Sequence, residues 1–216
     1  MFKMIDNWFQ KSKLKNVLIN LVKKFLLGRI SANSLTIIGL TLGIMSAFFI
    51  FLSGFLDFRL ELIIVSTIFM SLSFFTDILD GTIARLEQPT IFGGILDIFC
   101  DRTVEILILL AIISTNPIEL MWPGLFSLSA IILCITIFLV MGGAVKNIDL
   151  EEDQKVIYYS RGIMERTETF IFLIIITIFF PWRMILLWIF ASLVFITAIQ
   201  RLRHAYIMFY SIKNEK

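Results

Sequence analysis

The stretch TDILDGTIARLEQPTIFGGILDIFCDR, residues 76–102, decides the interpretation of this chain because it places acids beside sequence suited to lipid. It carries four aspartates, Asp77, Asp80, Asp97 and Asp101. On both sides the sequence is apolar for about 20 residues, the length at which a helix crosses a bilayer. A carboxylate within a spanning helix costs about 2.5–3.5 kcal/mol on insertion scales. Four of them cost on the order of 10 kcal/mol, and this cost must be compensated.

The composition is that of an integral membrane protein. Of the 216 residues, 58% are hydrophobic, and the mean hydropathy of +0.92 excludes an ordinary soluble domain. Apolar segments long enough to span the hydrocarbon core as helices lie at 35–56, 60–84, 92–114, 120–145, 162–180 and 184–206. The sequence therefore predicts an all-α integral membrane protein with six transmembrane helices.

The first 30 residues differ from the rest of the chain. Apolar residues such as Leu14, Leu18, Leu21 and Phe25 follow a helical period, with lysines on the other faces. We expect an amphipathic helix that lies on an anionic membrane surface, with a solvent-exposed arm as the alternative. The predicted organisation is a juxtamembrane helix over 1–30 and a six-helix membrane domain over 31–216.

The distribution of basic residues predicts the orientation. The first 30 residues hold six lysines and one arginine against a single acid. Basic residues also follow the second and fourth spans and fill the C-terminal tail, whereas the alternate connections are poor in them. The positive-inside rule then places both termini and the aspartates on the cytoplasmic side of the cell membrane. Trp122 and Trp182 fall at the opposite interface, where aromatic belts occur.

Helical spacing places the aspartates on two stripes. Asp77 and Asp80 share one face of the second helix with Gly81. Asp97 and Asp101 are four residues apart and form a stripe on the third helix. The short connection between these helices makes them antiparallel neighbours. Both stripes are therefore expected to face one cleft at the cytoplasmic end.

Divalent cations are the expected compensation. Arg85 and Arg102, the two nearby arginines, are too few to neutralise four anions. Oxygen ligands without His or Cys favour Mg²⁺ or Mn²⁺, and the one histidine of the chain, His204, lies in the tail. Gly81 and Gly93, beside the acids, leave room for a phosphate to approach.

Other classes of protein remain as alternatives. The carboxylates of a non-catalytic membrane scaffold would be solvated or paired with arginine. An ion-coupled transporter would spread its acids through the membrane depth and over several helices. In this sequence the acids are gathered at one end of two helices.

The spacing of these residues resembles the signature of the CDP-alcohol phosphotransferases, DxxDGxxAR followed by GxxxDxxxD, with a loop one residue shorter before Gly93. The resemblance extends over the whole chain. It implies transfer of a phosphatidyl-type group from CDP-diacylglycerol or CDP-archaeol to an alcohol, with release of CMP. It also implies a homodimer, and no nucleic-acid partner is expected. Gly39 and Gly43 form a small-residue pair suited to close packing, either in a dimer or within the chain.

The resemblance also implies roles for individual residues. Two metal ions would be held by Asp77, Asp80, Asp97 and Asp101, of which Asp101 would also be the general base. The implied contacts to the CDP-lipid are Asn33, Thr36, Asp77, Gly81, Ala84, Arg85 and Thr90. For Asn33 and Thr36, capping of the first helix is an alternative that is compatible with ligand binding.

Basic residues near the cytoplasmic ends of the last three helices are candidates for binding a phosphorylated acceptor. They are Lys146, Arg161, Arg166 and Arg201. Two or three such cations suit a dianionic phosphate, although contacts with lipid headgroups, or an internal ion pair for Arg166, are alternatives. These segments resemble the family branch that uses inositol 1-phosphate, except that Ile148 and Thr169 stand where that branch has arginine. Glycerol 3-phosphate is the alternative acceptor.

Overall fold

The computed structural model describes residues 19–20, 22–24, 26–87, 90–146 and 162–214, and within them the regular structure is helical, as predicted. The long helices are α1 (Ala32–Leu52), α2 (Arg59–Glu87), α3 (Ile91–Thr115), α4 (Pro117–Lys146), α5 (Arg166–Ile178) and α6 (Arg183–Asn214). A single 3-10 turn, Phe180–Trp182, precedes α6. Each long helix overlaps one of the six apolar segments of the sequence.

Helix length and polarity limit which helices qualify as membrane spans. Four segments are long and apolar enough, namely α1, α2, most of α4 and the segment Phe180–Met208. Helix α3 has 25 residues but carries Asp97, Asp101, Arg102 and Glu105. Helix α5 has 13 residues and is about 20 Å long, short of the roughly 30 Å of hydrocarbon. The chain is thus an all-α, multi-pass membrane protein, and the number of six spans stays a prediction.

The chain forms two compact units. The first contains α1, α2, α3 and α5 from Phe170 onward. The second contains α4, α6 and the described residues just before Phe170. Within the first unit, α1 packs against both α2 and α3. This arrangement is what holds the C-terminal end of α2 beside the N-terminal end of α3.

Two glycines of α1 allow this close packing. A Cβ atom at Gly39 would lie 2.8 Å from Oγ1 of Thr76 in α2, and one at Gly43 would overlap the methyl groups of Val104 in α3. Ser73 of α2 also donates a hydrogen bond to the Gly39 carbonyl at 2.7 Å. Of the two alternatives for this pair, the structure shows packing within the chain.

The predicted amphipathic helix falls mainly in residues 1–18, which lie outside the described residues. Its described end is helical at 19–20 and 22–24. Val22 is fully buried against Leu35 of α1 and against Leu79 and Ile83 of α2. The end of this segment therefore belongs to the first unit and packs against α1 and α2.

Candidate active site

Three of the four signature aspartates meet where α2 and α3 face each other. One carboxylate oxygen from each of Asp77, Asp97 and Asp101 lies within 4.8 Å of the other two. Asp77 comes from the end of α2, and the other two come from the beginning of α3. The expectation that the two stripes face each other is confirmed. Asp101 is only 8% exposed, so this carboxylate is largely removed from solvent.

Asp80 is held differently from the other three. It is 4% exposed, and its Oδ2 atom accepts a hydrogen bond of 2.7 Å from the hydroxyl of Thr36 in α1. Asp80 lines a small gap together with Asp77 and Asp101, and it also lines a larger cleft together with Asp97. It therefore lies beside both the carboxylate trio and the cleft, and the hydroxyl of Thr36 fixes its orientation.

The larger cleft, of about 290 Å³, is formed by the ends of α1, α2 and α3. Of the predicted CDP-lipid contacts it contains Asn33, Thr36, Gly81, Ala84 and Thr90. Asp77 lies in the adjoining gap instead. Arg85 turns back on its own helix, where its Nε donates to the Gly81 carbonyl at 2.8 Å.

Two helix N-termini border the cleft. Ser31 caps α1 by accepting a hydrogen bond from the Ser34 N–H at 3.2 Å, and Thr90 caps α3 by accepting one from the Gly93 N–H at 3.0 Å. The capping role suggested for Asn33 and Thr36 is wrong, because the chain enters α1 through Ser31. Since the N-terminal end of a helix carries partial positive charge, both ends favour an anionic group in the cleft.

The trio of Asp77, Asp97 and Asp101 fits a hard divalent cation. It offers only carboxylate oxygens, the ligands that Mg²⁺ and Mn²⁺ prefer. Oxygens bound to one such ion at about 2.1 Å lie roughly 3–4 Å apart. The observed separation of at most 4.8 Å therefore needs only small side-chain adjustments.

A further acid of α3, Glu105, was missed from the sequence. It lies one turn after Asp101, is completely buried and forms an ion pair with Arg102. Its Oε1 atom is buried and has no hydrogen-bond partner among the described residues. The four-residue spacing that relates Asp97 to Asp101 also leads to Glu105 and was the available signal.

The predicted acceptor residues that the structure describes, Lys146, Arg166 and Arg201, belong to the second unit. Lys146 is the last residue of α4, and the structure does not describe its side chain. Arg161 lies outside the described residues. Arg166 begins α5 and is half-buried. Their convergence beside the aspartates stays a prediction.

Arg201 is already engaged within the second unit. Its Nη1 atom donates to the carbonyl of Cys134 at 3.2 Å. Its guanidinium also lies over the ring of Phe138, 5.4 Å from the centroid. Both contacts are with α4, so this side chain links α6 to α4.

Residues 29–198 match the family model of the CDP-alcohol phosphatidyltransferases. The matched residues include both aspartate stripes and the cleft. The inner membrane protein YnjF of Escherichia coli (strain K12) is 25% identical to this chain over 189 residues, which are 86% of this chain and 88% of YnjF.

Two solved structures have the same fold. One is the Mycobacterium tuberculosis phosphatidylinositol phosphate synthase PgsA1 with CDP-DAG bound, with a TM-score of 0.68, 19% identity and coverage of 88% of this chain and 94% of that one. The other is PgsA1 in complex with manganese and citrate, with a TM-score of 0.67, 20% identity and coverage of 88% of each chain.

Proposed function

Because this chain belongs to the CDP-alcohol phosphatidyltransferase family, and so is a membrane transferase that moves a phosphatidyl group from a CDP-lipid to an alcohol, we propose that its acceptor is inositol 1-phosphate. The observation that supports the transfer reaction itself is the carboxylate trio beside a cleft bordered by two helix N-termini. A diphosphate in this cleft would meet the partial positive charge of both helices. Its bridging oxygen would then lie near the carboxylates.

The residues of the cleft bind and orient the nucleotide. The caps at Ser31 and Thr90 aim the N–H groups of both helices towards the diphosphate. Gly93 allows Asn33 and Thr90 to lie close to α3 in the cleft, since a Cβ atom at position 93 would lie 2.9 Å from Oγ1 of Thr90 and 3.1 Å from Oδ1 of Asn33. Thr36 keeps Asp80 at the boundary between the nucleotide and the carboxylate trio.

The carboxylates provide a proton acceptor and a cation site. Asp77, Asp80, Asp97 and Asp101 would hold two Mg²⁺ or Mn²⁺ ions, which when bound neutralise phosphate charge as Lewis acids. Asp101 accepts the proton of the acceptor hydroxyl. The oxygen so exposed forms a bond to the lipid-side phosphorus while the bond from that phosphorus to CMP breaks. Positioning accounts for most of the catalysis, as in other phosphoryl transfers.

The choice of acceptor depends on the second unit. Arg166 and the neighbouring basic residues suit a phosphate handle, and the fold is shared with PgsA1, which is a phosphatidylinositol phosphate synthase. Glycerol 3-phosphate is the second candidate. It is favoured by Ile148 and Thr169, which stand where the branch that uses inositol 1-phosphate has arginine.

The orientation and assembly belong to the same proposal. The excess of basic residues in the first 30 residues favours a cleft that opens to the cytoplasm. The lipid would enter from the cytoplasmic leaflet and the acceptor from the cytosol. We also propose a homodimer, for which the Gly39 and Gly43 pair provides no surface, because both glycines contact helices of their own chain.

The decisive experiment measures CMP release by the purified full chain. CDP-diacylglycerol and CDP-archaeol are tested as donors with Mg²⁺ or Mn²⁺, and inositol 1-phosphate, glycerol 3-phosphate and free inositol as acceptors. We expect metal-dependent CMP release with inositol 1-phosphate. Release with glycerol 3-phosphate alone would overturn the acceptor and leave the family reaction intact. Ion flux in vesicles without CMP release under any condition would favour a transporter.

A further inference from the structure

The buried pair of Glu105 and Arg102 has no role in the reaction described so far. Glu105 is 0% exposed, and a carboxylate is costly at such a site unless a cation compensates it. Oε2 pairs with Nη1 of Arg102, while Oε1 is buried without a hydrogen-bond partner among the described residues. The compensation that the described contacts provide for Glu105 is therefore Arg102, and the carboxylate holds that guanidinium strongly.

Arg102 also has other acids nearby. It follows Asp101 in the sequence and lies within electrostatic range of Asp97 and Asp101. Its side chain is 28% exposed, so it is not locked in place by packing alone. A guanidinium released from Glu105 would pair with these aspartates, since Arg binds carboxylates well and in two-pronged geometry. It would then compete with a cation for the same oxygens.

We propose that Glu105 is a positioning residue that sequesters Arg102 and so limits how far the guanidinium neutralises Asp97 and Asp101. The pair is electrically neutral as a unit, which leaves the negative charge of the trio to attract a divalent cation. The unfavourable burial of the Glu105 carboxylate then serves to keep the neighbouring aspartates available for a cation. This inference rests on the metal site of the proposed function.

The test is direct binding of Mn²⁺ to the full chain in nanodiscs, without lipid substrate or acceptor. Free Mn²⁺ is followed by electron paramagnetic resonance during a titration. We expect Glu105→Gln to raise the Kd for Mn²⁺ about tenfold, which corresponds to roughly 1.4 kcal/mol. The double variant R102Q/E105Q removes the competing guanidinium as well, and its Kd is expected within about twofold of the wild type.

A matched control is Thr103→Ala on the same helix. The Thr103 hydroxyl donates to the Phe99 carbonyl of its own helix, so its loss is expected to leave Mn²⁺ binding unchanged. Size-exclusion profiles and thermal unfolding establish that each variant is folded. If E105Q does not fold, Glu105→Leu provides the same comparison, because it buries an apolar side chain of similar size.

Two results would overturn the inference. One is a wild-type Kd for the folded single variant. The other is a double variant as weak as the single one, which would mean that the Glu105 carboxylate itself attracts the ion. A wild-type chain with no saturable Mn²⁺ binding would instead overturn the metal site of the proposed function.

Discussion

In the first unit, carboxylates from two consecutive helices meet within 4.8 Å, whereas in the second unit Arg201 contacts Cys134, 67 positions earlier in the chain. The two aspartate stripes are separated by one short connection, and Thr90 at its end caps α3 directly. Arg166 begins α5 and Arg201 lies within α6. A site built from neighbouring segments is determined by local spacing, while one built from distant segments depends on packing and on competing partners.

The largest effect on turnover is expected at Asp101, the proposed general base in the first unit. Asp101→Asn keeps the size and the burial of the side chain but removes the proton acceptor. We expect turnover to fall by about 10²–10⁴-fold, the usual contribution of a general base, with binding of CDP retained. The measurements are CMP release and equilibrium binding of the nucleotide.

The matched control for that substitution is Asp57→Asn. Asp57 is exposed in the connection between α1 and α2, about 30 Å along α2 from the signature aspartates. We expect wild-type turnover for this variant. A near wild-type rate for Asp101→Asn would remove Asp101 from the base role.

A smaller effect on turnover is expected at Thr36, which tests whether α1 contributes to the aspartate site of the first unit. Thr36→Val removes the 2.7 Å hydrogen bond to Asp80 and leaves that buried carboxylate oxygen without its donor. Hydrogen bonds to charged groups are worth about 1.5–3 kcal/mol, so we expect turnover to fall roughly 10–100-fold. CMP release at saturating donor measures it.

Thr36→Ser keeps the hydroxyl and is expected to retain most of the activity. Thr41→Val is the control on the same helix, because Thr41 is exposed and its hydroxyl donates to the Ile37 carbonyl within α1. Wild-type turnover of the folded Thr36→Val variant would show that the hydrogen bond to Asp80 does not contribute to the reaction.

The contrast between the two regions also explains what the sequence could and could not predict. Asp97 and Asp101 share a face because of their spacing alone, and the connection after α2 is too short for anything except antiparallel neighbours. Local periodicity therefore predicted both the helices and the meeting of the two stripes. The partner of Asp80 was not predictable in this way, because Thr36 is 44 residues away and only the packing of α1 brings it close.

The second unit was less predictable for the same physical reason. The contact of Arg201 with the Cys134 carbonyl joins residues 67 positions apart, and no local pattern distinguishes a cation that binds a carbonyl from one that binds a ligand. The hydrophobicity of the sequence also overestimated the length of α5. The apolar segment covers 162–180, but the helix extends only over Arg166–Ile178, because the described residues before it are irregular.

The smallest expected effect distinguishes Arg166 from Arg201. It tests which of these two cations binds the acceptor phosphate and which one binds α4. Arg166→Gln is expected to raise KM for the phosphorylated acceptor about tenfold, since a charge-assisted contact is worth at least roughly 1.5 kcal/mol. Arg201→Gln is expected to change that KM less than about threefold, because its guanidinium already binds the Cys134 carbonyl and the Phe138 ring. Its effect should instead be a lower thermal stability, by about 1 kcal/mol for the lost hydrogen bond and ring contact. Acceptor titrations of CMP release and thermal unfolding of both variants measure the difference. A large rise in KM for Arg201→Gln with unchanged stability would place Arg201 on the acceptor phosphate rather than on α4.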